Sequence, residues 1–139
     1  MNTEAWRFFH DGAIEQIKGE VPGSIVLKIG ISYLRRMFSS EGDGFFVRLG
    51  GCTRFDFAKY DGNSYFPVIS TLLDIEAEEP ELLSVRLTDP LVIVCESGLL
   101  TLAYEDIEIT LDSGESLTIE QLAEASKTYW RELAPRTSQ

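Results

Sequence analysis

The chain has 139 residues, of which 44% are hydrophobic, 11% aromatic and 25% charged, a balance that fits one folded domain and excludes a disordered polar chain. Its formal net charge is −11, unevenly placed: eight Lys/Arg face eight Asp/Glu up to Ile69, but only four face fifteen from Ser70 onward. Such a chain repels a polyanion, so nucleic acid is not an expected partner, whereas a basic protein is.

Residues 3–9, TEAWRFF, predict a short helix with Thr3 as its cap and Trp6 and Phe9 on one side. FFHDGAIEQI at 8–17 holds the sole histidine, His10, beside Asp11 and Gly12. A turn is expected there, with Asp11 bonding amides just ahead, Gly12 at positive φ, and Ile14 in a strand over 13–19. EVPGS at 20–24 is a tight turn. Then Ile25, Leu27, Ile29, Ile31 and Tyr33 alternate with polar and small residues through 24–34, the period of a strand.

RRMFSSEGDG at 35–44 reads as a polar loop, and FFVRL at 45–49 resumes the alternation. Gly50-Gly51 is either a two-residue hairpin or a bulge ahead of the strand at 52–60. Asp61-Gly62 marks another turn. Further strands are expected at 70–76 (STLLDIE), 82–89, 91–96, 99–104 and 106–112, the last with Ile107, Ile109 and Leu111 inward. Thr118 and Gln121 then fit a capping box opening a helix from about 119 to 133. Its apolar stripe is Leu122, Ser126, Tyr129, Trp130 and Leu133, and residues 135–139 form a frayed end. The expectation is a mainly β (α+β) single domain over 1–139, an antiparallel β-sandwich or strongly curved sheet of about seven to nine strands with the C-terminal helix packed on it.

The N-terminus lacks a basic and apolar leader, and no apolar run is long enough to span a bilayer, so a cytoplasmic protein without membrane contact is expected. Cys52 and Cys95 fall in strand-like runs and read as reduced, buried thiols.

One histidine rules out motifs that need several, including helical zinc-hydrolase and three-histidine zinc sites. Neither cysteine opens a helix, and adjacent side chains diverge on a strand, which argues against a His10–Asp11 dyad. The glycine pairs lack the strand-loop-helix setting of phosphate-binding loops. No catalytic residue, metal or cofactor is therefore expected. Lys28, Arg35, Arg36, Arg48, Arg54 and Lys59 fall within 32 residues, either as a local basic face or as solvated strand edges. The residues singled out for ligand or partner binding are His10, Asp11, Arg48 and Arg54.

Trp6, His10, Asp11, Gly12, Ile14, Ile17, Gly50, Gly51, Phe55 and Phe57 together resemble a group of small bacterial β-rich proteins that begin with an H-D-(G/A)-x-(I/V) element. Some relatives in that group are immunity proteins of polymorphic toxin systems. The resemblance implies a β-rich binding protein and carries over no catalytic residue. Three readings follow. The first is a non-enzymatic acidic module, an immunity-type inhibitor among them, that binds a basic protein. The second is a small-molecule binder or enzyme with a pocket between sheet and C-terminal helix, lined by His10, Arg48 and Arg54. The third is an oligomerisation role, the chain being a monomer or a homodimer.

Overall fold

In the computed structural model of the chain, residues 2–60, 62–64 and 67–137 are described, with side chains up to Glu132. Nine strands among them form two antiparallel sheets. The first has the order β1-β2-β3-β8-β9, from β1 (Ala13–Gly19), β2 (Gly23–Gly30), β3 (Gly44–Cys52), β8 (Asp106–Leu111) and β9 (Ser116–Leu117). The second has the order β4-β7-β6-β5, from β4 (Arg54–Lys59), β5 (Leu82–Arg86), β6 (Leu91–Cys95) and β7 (Gly98–Ala103). The Val21–Pro22 and Asp89–Pro90 peptides are cis.

Two long runs pass from one sheet to the other at a shared corner. β3 continues into β4 across Thr53, and β7 into β8 across Tyr104 and Glu105. Thr53 N–H donates to Ala103 O at 2.9 Å and Glu105 N–H to Gly50 O at 2.8 Å, so the runs stay paired through the bend. The bend explains Gly50-Gly51. Gly23 pairs with Cys52 but Ile25 with Leu49, leaving one extra residue on β3, and Gly51 sits at φ 60. The glycines form a bulge that turns the strand.

Alternation fills the space between the sheets. Ile25, Leu27 and Ile29 of β2, Phe45, Val47 and Leu49 of β3, Phe55 and Phe57 of β4, and Leu91, Ile93, Leu100 and Leu102 of β6 and β7 are all buried. Helix α3 (Ile119–Thr137) adds Leu122 and Ala125 to this core and packs against the 3-10 turn Glu4–Phe8 and helix α1 (Ser32–Arg35). Its capping box is formed: Gln121 N–H donates to Thr118 Oγ1 at 3.1 Å and Thr118 N–H to Gln121 Oε1 at 2.8 Å. Thr3, by contrast, gives the 3-10 turn no side-chain cap.

The sequence reading is corrected at several places. STLLDIE is not a strand; Leu72–Glu78 is helix α2. Leu72 and Ile75, three apart, face inward while Leu73 is 72% exposed, and α2 lies against β1 and β4. There Glu76 accepts the Ile17 N–H at 2.8 Å, covering part of the β1 edge, as Ile69 does for β4 through Phe57. The strand expected through residue 34 ends at Gly30, and the chain turns into a short helix at Ser32–Arg35 in which Leu34 and Arg35 are both buried. Trp130, placed on the packing stripe, is 56% exposed, whereas Ile107 packs against the core as expected, though only half-buried. α3 runs to Thr137, past the point where fraying was expected; Ser138, Gln139 and the Leu133 side chain lie outside the described residues, as does Asp61 of the expected Asp61-Gly62 turn.

Candidate functional site

His10 and Asp11 lie in the turn between the 3-10 turn and β1, not on a strand, and this changes their relation. Asp11 itself takes the left-handed conformation at φ 68, whereas Gly12 does not have positive φ. The Asp11 N–H donates to Leu82 O at 2.8 Å, so its backbone, not its side chain, ties the turn to β5. Gly12 is required for space: a Cβ there would stand 2.8 Å from Ile29 Cγ2 and 3.0 Å from Phe9 O.

This geometry brings the two side chains together. His10 Nε2 stands 3.5 Å from Asp11 Oδ2, both about half exposed, while the other ring nitrogen, Nδ1, donates to the Leu83 carbonyl. A carbonyl only accepts, so Nδ1 carries the proton and the ring is held across the end of β5. Tyr33 Oη donates to His10 O at 2.8 Å; burial first, then the Asp11 charge, push its phenol up from the ordinary value. The expected divergence of His10 and Asp11 is therefore corrected, although a contact so exposed contributes little to stability.

Next to this turn, the β5–β6 hairpin sets two carboxylates against each other. Leu82 pairs with Cys95, and Glu96 N–H donates to Glu81 O at 2.9 Å, so Glu81 and Glu96 face each other across the strands. The neighbouring Glu96 carboxyl raises Glu81 above its ordinary pKa, with the Asp11 charge adding and His10 opposing. No lysine or arginine pairs with either among the described residues. Like charges opposite one another on neighbouring strands destabilise a sheet. Sequence reasoning passed over this pair because its members lie 15 residues apart in separate segments and meet only through the register of the hairpin.

Arg48 and Arg54 lie elsewhere. Arg48 is on the outer side of the first sheet, 3.0 Å from Glu108, 3.5 Å from Asp106 and 3.4 Å from Ser24 Oγ; its hydrogen bond lowers the Glu108 pKa. Arg54, at the start of β4, donates to Asp56 at 2.8 Å. Lys28 pairs with Asp43 and Glu15, Arg35 with Asp112, and Lys59 with Glu78. Apart from Arg36, each cation of the expected basic face is thus matched to a carboxylate.

The hollows do not gather the predicted residues. A cleft of about 260 Å³ lies between β8, β9 and the start of α3, where the small-molecule reading places its pocket, but Glu108 is its charged lining residue and none of His10, Arg48 or Arg54 reaches it. His10 instead lines a cleft of about 290 Å³ with Trp6, Arg7, Leu83 and Val85. Among the described residues no three His, Cys, Asp or Glu side chains stand together as metal ligands, and no helix is long and apolar enough to cross a membrane. Both thiols are buried and form no disulfide; burial pushes Cys95 up to about 12 and Cys52 above its ordinary value. Family models, curated proteins and solved structures give no match to the chain.

Proposed function

We propose that the chain is a non-enzymatic, acidic protein-binding module that receives a lysine or arginine of a basic partner at the corner formed by His10–Asp11, Glu81 and Glu96. The observation that carries this reading is the Glu81–Glu96 pair, two carboxylates set opposite each other by the hairpin register with no lysine or arginine pairing either among the described residues, a repulsion that an incoming cation would relieve. The charge pattern supports it, since five of the eight cations of the first half, Lys28, Arg35, Arg48, Arg54 and Lys59, are matched to internal carboxylates, while the second half holds fifteen acids against four cations. The resemblance of the first 60 residues to a group of small β-rich proteins, some of whose relatives are immunity proteins, suggests one class of partner, a basic toxin domain.

The test is capture of basic proteins by the immobilised full chain at low and moderate salt, beside a Glu81→Gln, Glu96→Gln double variant. The expected result is capture that weakens with salt and is lost in the double variant, while that variant melts no lower than the parent because the repulsion is gone. Capture that ignores both salt and the substitutions overturns the reading.

A further inference from the structure

The cleft of about 290 Å³ beside His10 departs from the acidity of the rest of the surface. It lies between the 3-10 turn and β5, the edge strand of the second sheet. Trp6, Leu82 and Ile93, all buried, form its floor, and Val85 and the 37% exposed Leu83 are walls. Trp6 sends its indole N–H to Tyr104 Oη at 3.0 Å, so it offers the cleft only its apolar ring. No carboxylate lines this cleft. The cleft beside β9 carries Glu108, the hollow at the corner between the sheets Asp89 and Glu105, and the groove along α3 Glu124. Arg7 lines the His10 cleft instead, and its guanidinium has no carboxylate partner among the described residues. The bulge between Leu82 and Ser84 brings an exposed hydroxyl to the same lining, Ser84, which also has no side-chain partner there.

We propose that this cleft is a binding site for a small monocarboxylate with an apolar body of about eight carbons. Apolar walls with a few convergent polar groups are the make-up of a small-molecule site. Size sets the length of the ligand. At about 30 Å³ for each water-sized group, the volume holds about ten non-hydrogen atoms, the number in a carboxylate with a chain of about eight carbons. Charge sets the head group. The planar guanidinium of Arg7 donates two parallel N–H bonds to a carboxylate, and the Ser84 hydroxyl adds a third donor. An alkylammonium head meets an unmatched cation, and an alcohol forfeits the charge-assisted bonds. His10 acts as a wall and not as a donor, because its Nδ1 proton is held by the Leu83 carbonyl. Asp11, Glu81 and Glu96 are not part of the lining, so the cleft takes an anion while the neighbouring corner takes a cation, and neither reading rests on the other.

Titration of the isotope-labelled full chain with octanoate, followed by the shifts of its backbone amides, tests this. The expected result is saturable movement of the Arg7, Ser84 and Val85 amides with a Kd at or below about 1 mM. Octanol binds about tenfold more weakly or less, and octylammonium leaves these three amides in place. Arg7→Gln, at an exposed position that does not threaten folding, weakens octanoate binding by about tenfold or more, and its unchanged spectrum away from the cleft confirms the fold. Arg54→Gln, a cation outside the cleft, leaves binding unchanged. Octanoate that moves none of the three amides up to about 10 mM, that binds the Arg7→Gln chain as well as the parent, or that binds no better than octylammonium overturns the proposal.

Discussion

Replacing Asp112 probes the densest polar cluster of the fold. Its Oδ1 accepts Arg35 Nε at 2.8 Å, and its Oδ2 accepts the amides of Asp43 and Gly44 at 2.8 and 3.0 Å. Arg35 is 1% exposed and sends its remaining donors to Ser40 O at 2.8 Å and Glu41 O at 3.0 Å, closing the loop after α1. Burial alone would raise this acid, but the two amides and the guanidinium outweigh it and hold Asp112 at about 2 instead of 3.8. Because the folded value lies below the unfolded one, the stabilisation is complete above about pH 4 and is lost as the pH falls through about 2. The drop from 3.8 to about 2 corresponds to about 2 kcal/mol, trimmed by solvent screening at the carboxylate's 13% exposed side. Asp112→Ala costs more at neutral pH, about 3–5 kcal/mol, since it leaves a buried guanidinium uncompensated. Asp112→Asn keeps the shape but turns an NH2 toward existing donors and costs about 2–3 kcal/mol. Urea unfolding at steps from pH 7 to pH 2 reads both, with the gap between parent and Asn variant closing below about pH 4. An Ala variant within about 1 kcal/mol of the parent, or a gap that stays constant to pH 2, refutes the reasoning.

Gly51→Ala places a side chain at φ 60 with its Cβ 2.6 Å from Glu105 Cδ, and a loss of about 1–2 kcal/mol in urea unfolding is expected. Thr118→Ala removes one half of the reciprocal cap of α3 and costs about 1 kcal/mol, read as a lower melting temperature in the helical circular-dichroism signal. Cys52 and Cys95, buried and with raised thiol pKa values, resist a thiol-labelling reagent in the folded chain and react together on denaturation.

The elements legible in the sequence are those whose determinants are close in the chain. Period-two runs located the long strands, and Thr118 with Gln121 opened α3, because a strand's faces and a helix's cap are set within a few residues. Helix α2 is not legible because it is only seven residues long, too short for Leu72 and Ile75 to show a helical period against a strand-like apolar run. Arg35 was placed in a loop because its partner Asp112 lies 77 residues away, and nothing local distinguishes a buried arginine from a solvated one. The site shows the same division. His10 and Asp11 stand out by type, yet their approach depends on a left-handed aspartate anchored to Leu82, and the pairing of Glu81 with Glu96 depends on strand register. The half-buried outward residues of β6 and β7 were in principle legible, since LVIVC is apolar at successive positions and LLTLA at all but Thr101.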